Sequence, residues 1–127
     1  MSGTPIRLLI VEDSTITANQ LCEFITAAHP QVHCSTAESE TEAVAKIASD
    51  RFDVVVVDLA LREGTGFGVL KHVVALRPKP LAVVLTNYAL PNYREFAMLN
   101  GADYFLDKAI SMEELPKILA KHLKSYQ

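Results

Sequence analysis

Short apolar runs alternate along the chain with stretches whose apolar residues recur every three or four positions. Ile6 to Val11 is almost wholly apolar, the mark of a strand buried on both faces. From Ser14 to His29, the residues Ala18, Leu21, Ile25 and Ala28 fall on one helical stripe, and Asp13 or Ser14 is placed to cap it. Gln31 to Thr36 alternates and predicts a second, less buried strand. Glu38 to Asp50 puts Ala43, Val44, Ile47 and Ala48 on one helical face. Asp53 to Asp58 holds four successive valines and is the clearest strand, and the polar, glycine-containing stretch from Leu59 to Gly66 is a loop. Phe67 to Arg77 has Leu70, Val73 and Val74 on one stripe, and Pro78 ends it. Leu81 to Leu85 is a fourth strand. Pro91 suits a helix start and Gly101 the position just past its end. Tyr104 to Leu106 is a short fifth strand. Ser111-Met112-Glu113-Glu114 has capping-box spacing before a last helix, whose stripe is Leu115, Ile118, Leu119, His122 and Leu123. Pro116 lacks an N–H, so the regular helix is expected to begin nearer to it than to Ser111.

Five strands alternate strictly with five helices, without a repeat or a linker. That order predicts an α/β domain: a doubly wound parallel sheet covered by helices on both faces and joined by right-handed crossovers. For five strands the common flavodoxin-like order is 2-1-3-4-5. It leaves the second strand at an edge, and the second is the most polar of the five.

Composition narrows this further. The chain has 127 residues, 50% of them hydrophobic and 21% charged, enough for one core. Twelve Lys and Arg against fifteen Asp and Glu give a net charge of −3, which weighs against nucleic acid as a ligand. No apolar run approaches the roughly 20 residues of a membrane span. The start MSGTPIRLLIVED turns acidic directly after its short apolar run, unlike a secretory signal. The expectation is a cytoplasmic protein without membrane contact. Cys22 and Cys34 fit no metal spacing and no disulfide framework, so reduced, half-buried thiols are expected.

The polar residues fall at one edge. Strand one ends in Glu12-Asp13, strand three in Asp58 and strand four in Thr86, and strand five runs into Asp107-Lys108. Open parallel sheets bind ligands outside those carboxyl ends, at the switch in strand order, so these groups should converge in one cleft. Taken singly, each has an ordinary reading. Glu12 and Asp13 suit a helix cap, Asp58 a strand end and Lys108 a solvated charge, and Thr86 says little. Together they make an all-oxygen carboxylate set suited to a hard cation such as magnesium. A carboxylate beside such an ion is a nucleophile for phosphoryl transfer. A lysine and a hydroxyl would meet the charge on the transferred group.

The segments LLIVEDS, VVVVDLALREGTGFGVL, VVLTNYA and GADYFLDKA, in this order and spacing, resemble the receiver domains of two-component response regulators, and the resemblance covers the whole chain. It implies that Asp58 is the phosphoacceptor. It implies a magnesium site (manganese being the alternative) formed by Glu12, Asp13, Asp58 and the backbone carbonyl of Ala60. Thr86 and Lys108 would contact the phosphoryl group, and Thr86 and Phe105 would act as switch residues. Ala60 and Tyr88 would tune dephosphorylation, a bulky Tyr88 excluding the attacking water. The implied donor is a histidine kinase or a histidine phosphotransfer protein. The implied output is a population shift in the face formed by helix four, strand five and helix five.

Three positions depart from the family pattern. Phe105, without a hydroxyl, stands where tyrosine is frequent. Ala109 follows Lys108 where proline is usual, so a cis peptide there would be costly. Arg62 replaces a frequent proline, in a loop that Gly64, Gly66 and Gly68 make adaptable. Residues 1–127 read as a single receiver domain with no residues left for an output domain. The protein is then a switch rather than a turnover enzyme, a monomer or a weak homodimer. The alternatives are a phosphorylation-independent interaction module and a phosphorelay intermediate or phosphate sink. A flavin-binding module ranks low, because Glu12-Asp13 would repel a flavin phosphate. An aspartyl-nucleophile phosphatase would want an Asp at Ala60. The four histidines, His29, His33, His72 and His122, are given no role beyond packing or surface.

Overall fold

A computed structural model describes residues 5–110 and 112–123. The elements follow in strict alternation: β1 (Ile6–Val11), α1 (Thr15–Ala28), β2 (Val32–Ala37), α2 (Glu40–Ser49), β3 (Val54–Val57), α3 (Gly66–Val74), β4 (Leu81–Thr86), α4 (Pro91–Leu99), β5 (Tyr104–Asp107) and α5 (Glu114–Leu123). All pairings are parallel and the strand order is β2-β1-β3-β4-β5. The fold expected from the sequence pattern is the fold observed.

Side chains alternate across a strand, so β1, β3 and β4 feed two cores. Leu8, Ile10, Val54, Val56, Val83 and Leu85 pack against Ala18, Leu21 and Ile25 of α1 and Leu115 and Leu119 of α5. Leu9, Val11, Val55, Val57 and Val84 pack against Ala43 and Ile47 of α2, Val69, Leu70 and Val73 of α3, and Ala97 of α4. The edge strand β2 is buried only at Val32 and Ala37. It has β1 as its one sheet partner.

Local chemistry sets the boundaries. Ser14 caps α1, its Oγ accepting from the Thr17 N–H at 3.3 Å. Ser39 caps α2 and Thr65 caps α3 in the same way, each at 3.1 Å. Pro91 is the first residue of α4, and Gly101 follows its end with φ of 101°, a conformation that favours glycine. Pro116 falls in the first turn of α5, where a missing N–H costs nothing. That agrees with a start nearer Pro116 than Ser111. Ser111 itself, and with it the full capping box, lies outside the described residues, as does the side chain of Leu123.

Three expectations need correction. The helix expected over Phe67 to Arg77 runs instead from Gly66 to Val74. Its last turn tightens, with Ala75 and Leu76 donating to the carbonyls three residues back, and the chain leaves the helix well before Pro78. Gly66 and Gly68 therefore belong to α3, not to an adaptable loop. Cys22 and Cys34 are bonded to each other, Cα to Cα 5.9 Å. A separation of 12 residues carries no pairing signal by itself, and the contact exists because α1 folds back along β2. The peptide between Lys108 and Ala109 is trans, in line with the cost expected of a cis bond without proline, and the one cis bond among the described residues is Arg77–Pro78.

Candidate functional site

The register of the sheet assembles the site. Val11 lies opposite Val57, so Glu12 and Asp58 leave neighbouring strands side by side. The Asp58 N–H donates to the Val11 carbonyl at 3.0 Å, and the Glu12 N–H to the Ala37 carbonyl at 2.9 Å. Thr86 lies opposite Asp107, and the Lys108 N–H donates to the Thr86 carbonyl at 3.0 Å. Ladder hydrogen bonds thus hold the four positions at the carboxyl edge.

The polar side chains here are buried. Glu12 is 3% exposed, Asp58 7% and Thr86 0%, the three buried polar or charged residues identified in the described chain. The Lys108 ammonium joins the two carboxylates, donating to Glu12 Oε1 and to Asp58 Oδ2, the latter at 2.7 Å. The remaining oxygens are also engaged. Glu12 Oε2 accepts from the Ser14 N–H at 3.1 Å, and Asp58 Oδ1 from the Ala60 N–H at 3.2 Å. Burial pushes the Glu12 carboxyl above its ordinary range, and Lys108 and the Ser14 N–H only partly offset this. Burial also pulls the Lys108 ammonium down, but its bonds to Asp58 and Glu12 outweigh that and hold it above its usual value.

Thr86 Oγ1 accepts from the Tyr88 N–H at 3.1 Å, which leaves its own proton for another acceptor. Tyr88 is 55% exposed. Ala60 is exposed and pairs with Thr65 across the β3–α3 turn. Phe105 is buried beside Ala97 in the core under α4. The Arg94 guanidinium donates to the Phe105 carbonyl at 3.2 Å and lies 6.0 Å from its ring.

Asp13 is half-buried and opens toward a shallow pocket of about 200 Å³ lined by Glu38, Ser39, Glu42, Arg62 and Glu63. Among the described residues no three acidic, His or Cys side chains form a ready-made metal cage. The donor chemistry nonetheless fits a hard divalent ion. Magnesium takes one or two carboxylates, with water and other oxygens completing the shell. The three carboxylates set against the single ammonium also leave two negative charges to balance.

One feature of the site has no counterpart in the sequence reading. Glu63, in the β3–α3 loop, accepts from the Thr41 N–H at 3.1 Å and from the Thr41 hydroxyl at 2.9 Å. Glu40, at the start of α2, accepts from the Thr65 N–H at 2.9 Å. Each segment therefore caps the other, and the pair latches the loop that follows Asp58. The Thr41 backbone bond, ahead of the hydroxyl bond, holds the Glu63 carboxyl below its ordinary value. Glu63 lies 22 residues from Thr41, so neither residue type nor spacing announces the contact. Three histidines are occupied structurally: His29 with the Pro116 carbonyl, His72 with the Gly68 carbonyl and His122 with the Tyr104 hydroxyl.

A doubly wound α/β domain with a buried acid–lysine cluster at its switch point is the class that fold and site define. The chain belongs to the response regulator receiver domain family, whose family model matches residues 8–120. It is 27% identical over 120 residues, 94% of the chain, to the sensory transduction protein LytT of Enterococcus faecalis, of which it covers 48%. It is 34% identical over 79 residues, 62% of the chain, to a protein-glutamate methylesterase/protein-glutamine glutaminase of Bacillus licheniformis, of which it covers 22%. The chain thus spans about half the length of these relatives or less. Among solved structures, a CheY-like receiver domain protein of Methanospirillum hungatei superposes with a TM-score of 0.86 at 24% identity, covering 97% of both chains. The response regulator TrrA of Thermotoga maritima, solved in complex with Mg2+-BeF, superposes with a TM-score of 0.79 at 25% identity, covering 91% of this chain and 97% of that one. The family is one of signalling switches. No helix among the described residues is long and apolar enough to cross a membrane.

Proposed function

We propose that this domain is a phosphorylation-activated switch whose phosphoacceptor is Asp58. The observation that carries the reading is the Lys108 ammonium bridging Glu12 and Asp58 at the switch point, with Thr86 buried beside them. Once a divalent cation offsets the surplus carboxylate charge, the ammonium and the hydroxyl are already in place for a phosphoryl group.

The donor is a phosphohistidine on a histidine kinase or phosphotransfer protein. An Asp58 oxygen attacks phosphorus in line, the P–N bond breaks, and the histidine nitrogen leaves with its electron pair. The product is an acyl phosphate, which water later hydrolyses. Glu12, Asp13, Asp58 and the Ala60 carbonyl would hold magnesium or manganese, which when bound offsets charge on the phosphoryl oxygens. Lys108 exchanges a carboxylate partner for a phosphoryl oxygen. The Thr86 hydroxyl donates its free proton to another. Because Thr86 Oγ1 also holds the Tyr88 N–H, a shift of Thr86 pulls on the chain entering α4. Leu99 at the end of α4 and Ile110 after β5 are 78% and 79% accessible, and the α4–β5–α5 face is the one we assign to the downstream partner. Tyr88 and Ala60, both exposed, border the path of the hydrolytic water.

The test is magnesium-dependent binding of beryllofluoride, followed by amide NMR in the wild type and in Asp58→Asn. The expected result is shifts at Thr86, Phe105 and Lys108 in the wild type alone. Equal shifts in both proteins, or none in either, would overturn the reading and favour an interaction module that works unmodified.

A further inference from the structure

We propose that Cys22 and Cys34 form a reversible intramolecular disulfide, a redox modification site that staples α1 to the edge strand β2. Nothing in phosphoryl transfer requires it. Leu8 pairs with Cys34, so the bond sits midway along the edge strand, away from the carboxyl ends that carry Asp58.

Three observations support the site. The Cα atoms are 5.9 Å apart, in the range a disulfide needs without backbone movement. Both residues are half-buried at the rim of the core under α1, so a small reagent can reach them while neighbouring apolar side chains hold the pair in register. The bond also joins the element with most to gain. β2 has one strand neighbour and three half-exposed residues in its middle, and α1 is its main cover on that face.

The oxidant we assign is a low-molecular-weight disulfide. One cysteine thiolate attacks it, breaking its S–S bond, expelling one thiolate and leaving a mixed disulfide on the protein. The second cysteine thiolate attacks the protein sulfur of that bond and expels the other small thiolate. The protein loses two electrons and two protons, and the small disulfide becomes two thiols. A dithiol reverses the sequence. Closing a loop of this length shifts the folding equilibrium roughly a hundredfold toward the folded state.

The experiment equilibrates the full chain in glutathione buffers of graded ratio, traps free thiols with N-ethylmaleimide and reads the intact mass. Two adducts are expected in the reduced protein and none in the oxidised, which stays a monomer on a non-reducing gel. Cys22→Ser and Cys34→Ser should each keep one adduct on exposure to N-ethylmaleimide after dithiothreitol treatment and form no internal bond. Hydrogen exchange of the β2 amides should slow on oxidation in the wild type and not in the double variant. Two adducts at every buffer ratio, disulfide-linked dimers, or a bond that native protein will not release to dithiothreitol would each overturn the proposal. None of these outcomes bears on Asp58.

Discussion

Lys108 occupies the place where charge is most constrained. Its side chain is 13% exposed, against 4% for Glu12 and 9% for Asp58, so water screens the three charges little. Removing the ammonium leaves two buried carboxylates facing each other, and one must take up a proton or the pair must separate. Lys108→Met should therefore destabilise the metal-free domain by about 2–3 kcal/mol at neutral pH, read by urea denaturation. Magnesium, with no ammonium to displace, should then raise the midpoint more in the variant than in the wild type. The pH dependence has a definite sign. Because the folded-state value of Lys108 is raised above 10.5, its contribution is complete below pH 10.5 and fades only as pH climbs through that higher value. A variant as stable as the wild type at pH 7 would mean the bridge contributes nothing net. The identities at this cluster were legible in the sequence because each polar residue interrupts or ends an apolar run. Their convergence followed from the expected strand order, whereas the particular bonds from Lys108 to partners 96 and 50 positions away are tertiary contacts that no local pattern encodes.

The β3–α3 loop and the start of α2 act as one element through their exchanged carboxylates. Glu63 is exposed, so its bonds to Thr41 compete with water. Its folded-state value lies below 4.5, so its contribution is present above that ordinary value and is lost as pH falls through the lower one. Glu63→Ala should lower the thermal midpoint at pH 7, and the gap to the wild type should close progressively in acid. A gap that persists unchanged in acid would show that the side chain acts by something other than its ionised bonds. The same segment shows where sequence reading stops. Gly64, Gly66 and Gly68 suggested freedom, but space is what two of them supply. A Cβ at Gly66 would stand 2.7 Å from the Leu59 Cα and closer still to the Asp58 carbonyl oxygen, and one at Gly68 would run into the Glu40 carboxylate. Close approach of backbone and side chain is a tertiary fact, and no local pattern encodes it. By contrast, the start of α5 was readable, because the missing N–H of Pro116 is a local constraint with one comfortable solution.

Across the whole molecule, stability is distributed unevenly in a way that suits a switch. β1, β3 and β4 are buried on both faces and paired on both sides. Helix α4 buries only Ala97 of its nine residues, and Leu90, just before its start, offers no side-chain cap. Tyr93, Phe96, Met98 and Leu99 remain exposed, and Phe67 meets Phe96 and Tyr93 edge-on at its margin. Little apolar area therefore holds α4 down, whereas its entrance is tied to the site through the Tyr88 N–H and its middle to β5 through Arg94. An element that costs little to move and is tied at its entrance and its middle is the one a small change at Asp58 can shift. In native-state hydrogen exchange, α4 amides should exchange at least about tenfold faster than those of β1 and β3. Beryllofluoride with magnesium should change the α4 rates more than those of α1 or α2. Protection in α4 equal to that of the central strands would contradict this division. The response to Asp58 would then have to travel through the β3–α3 latch instead.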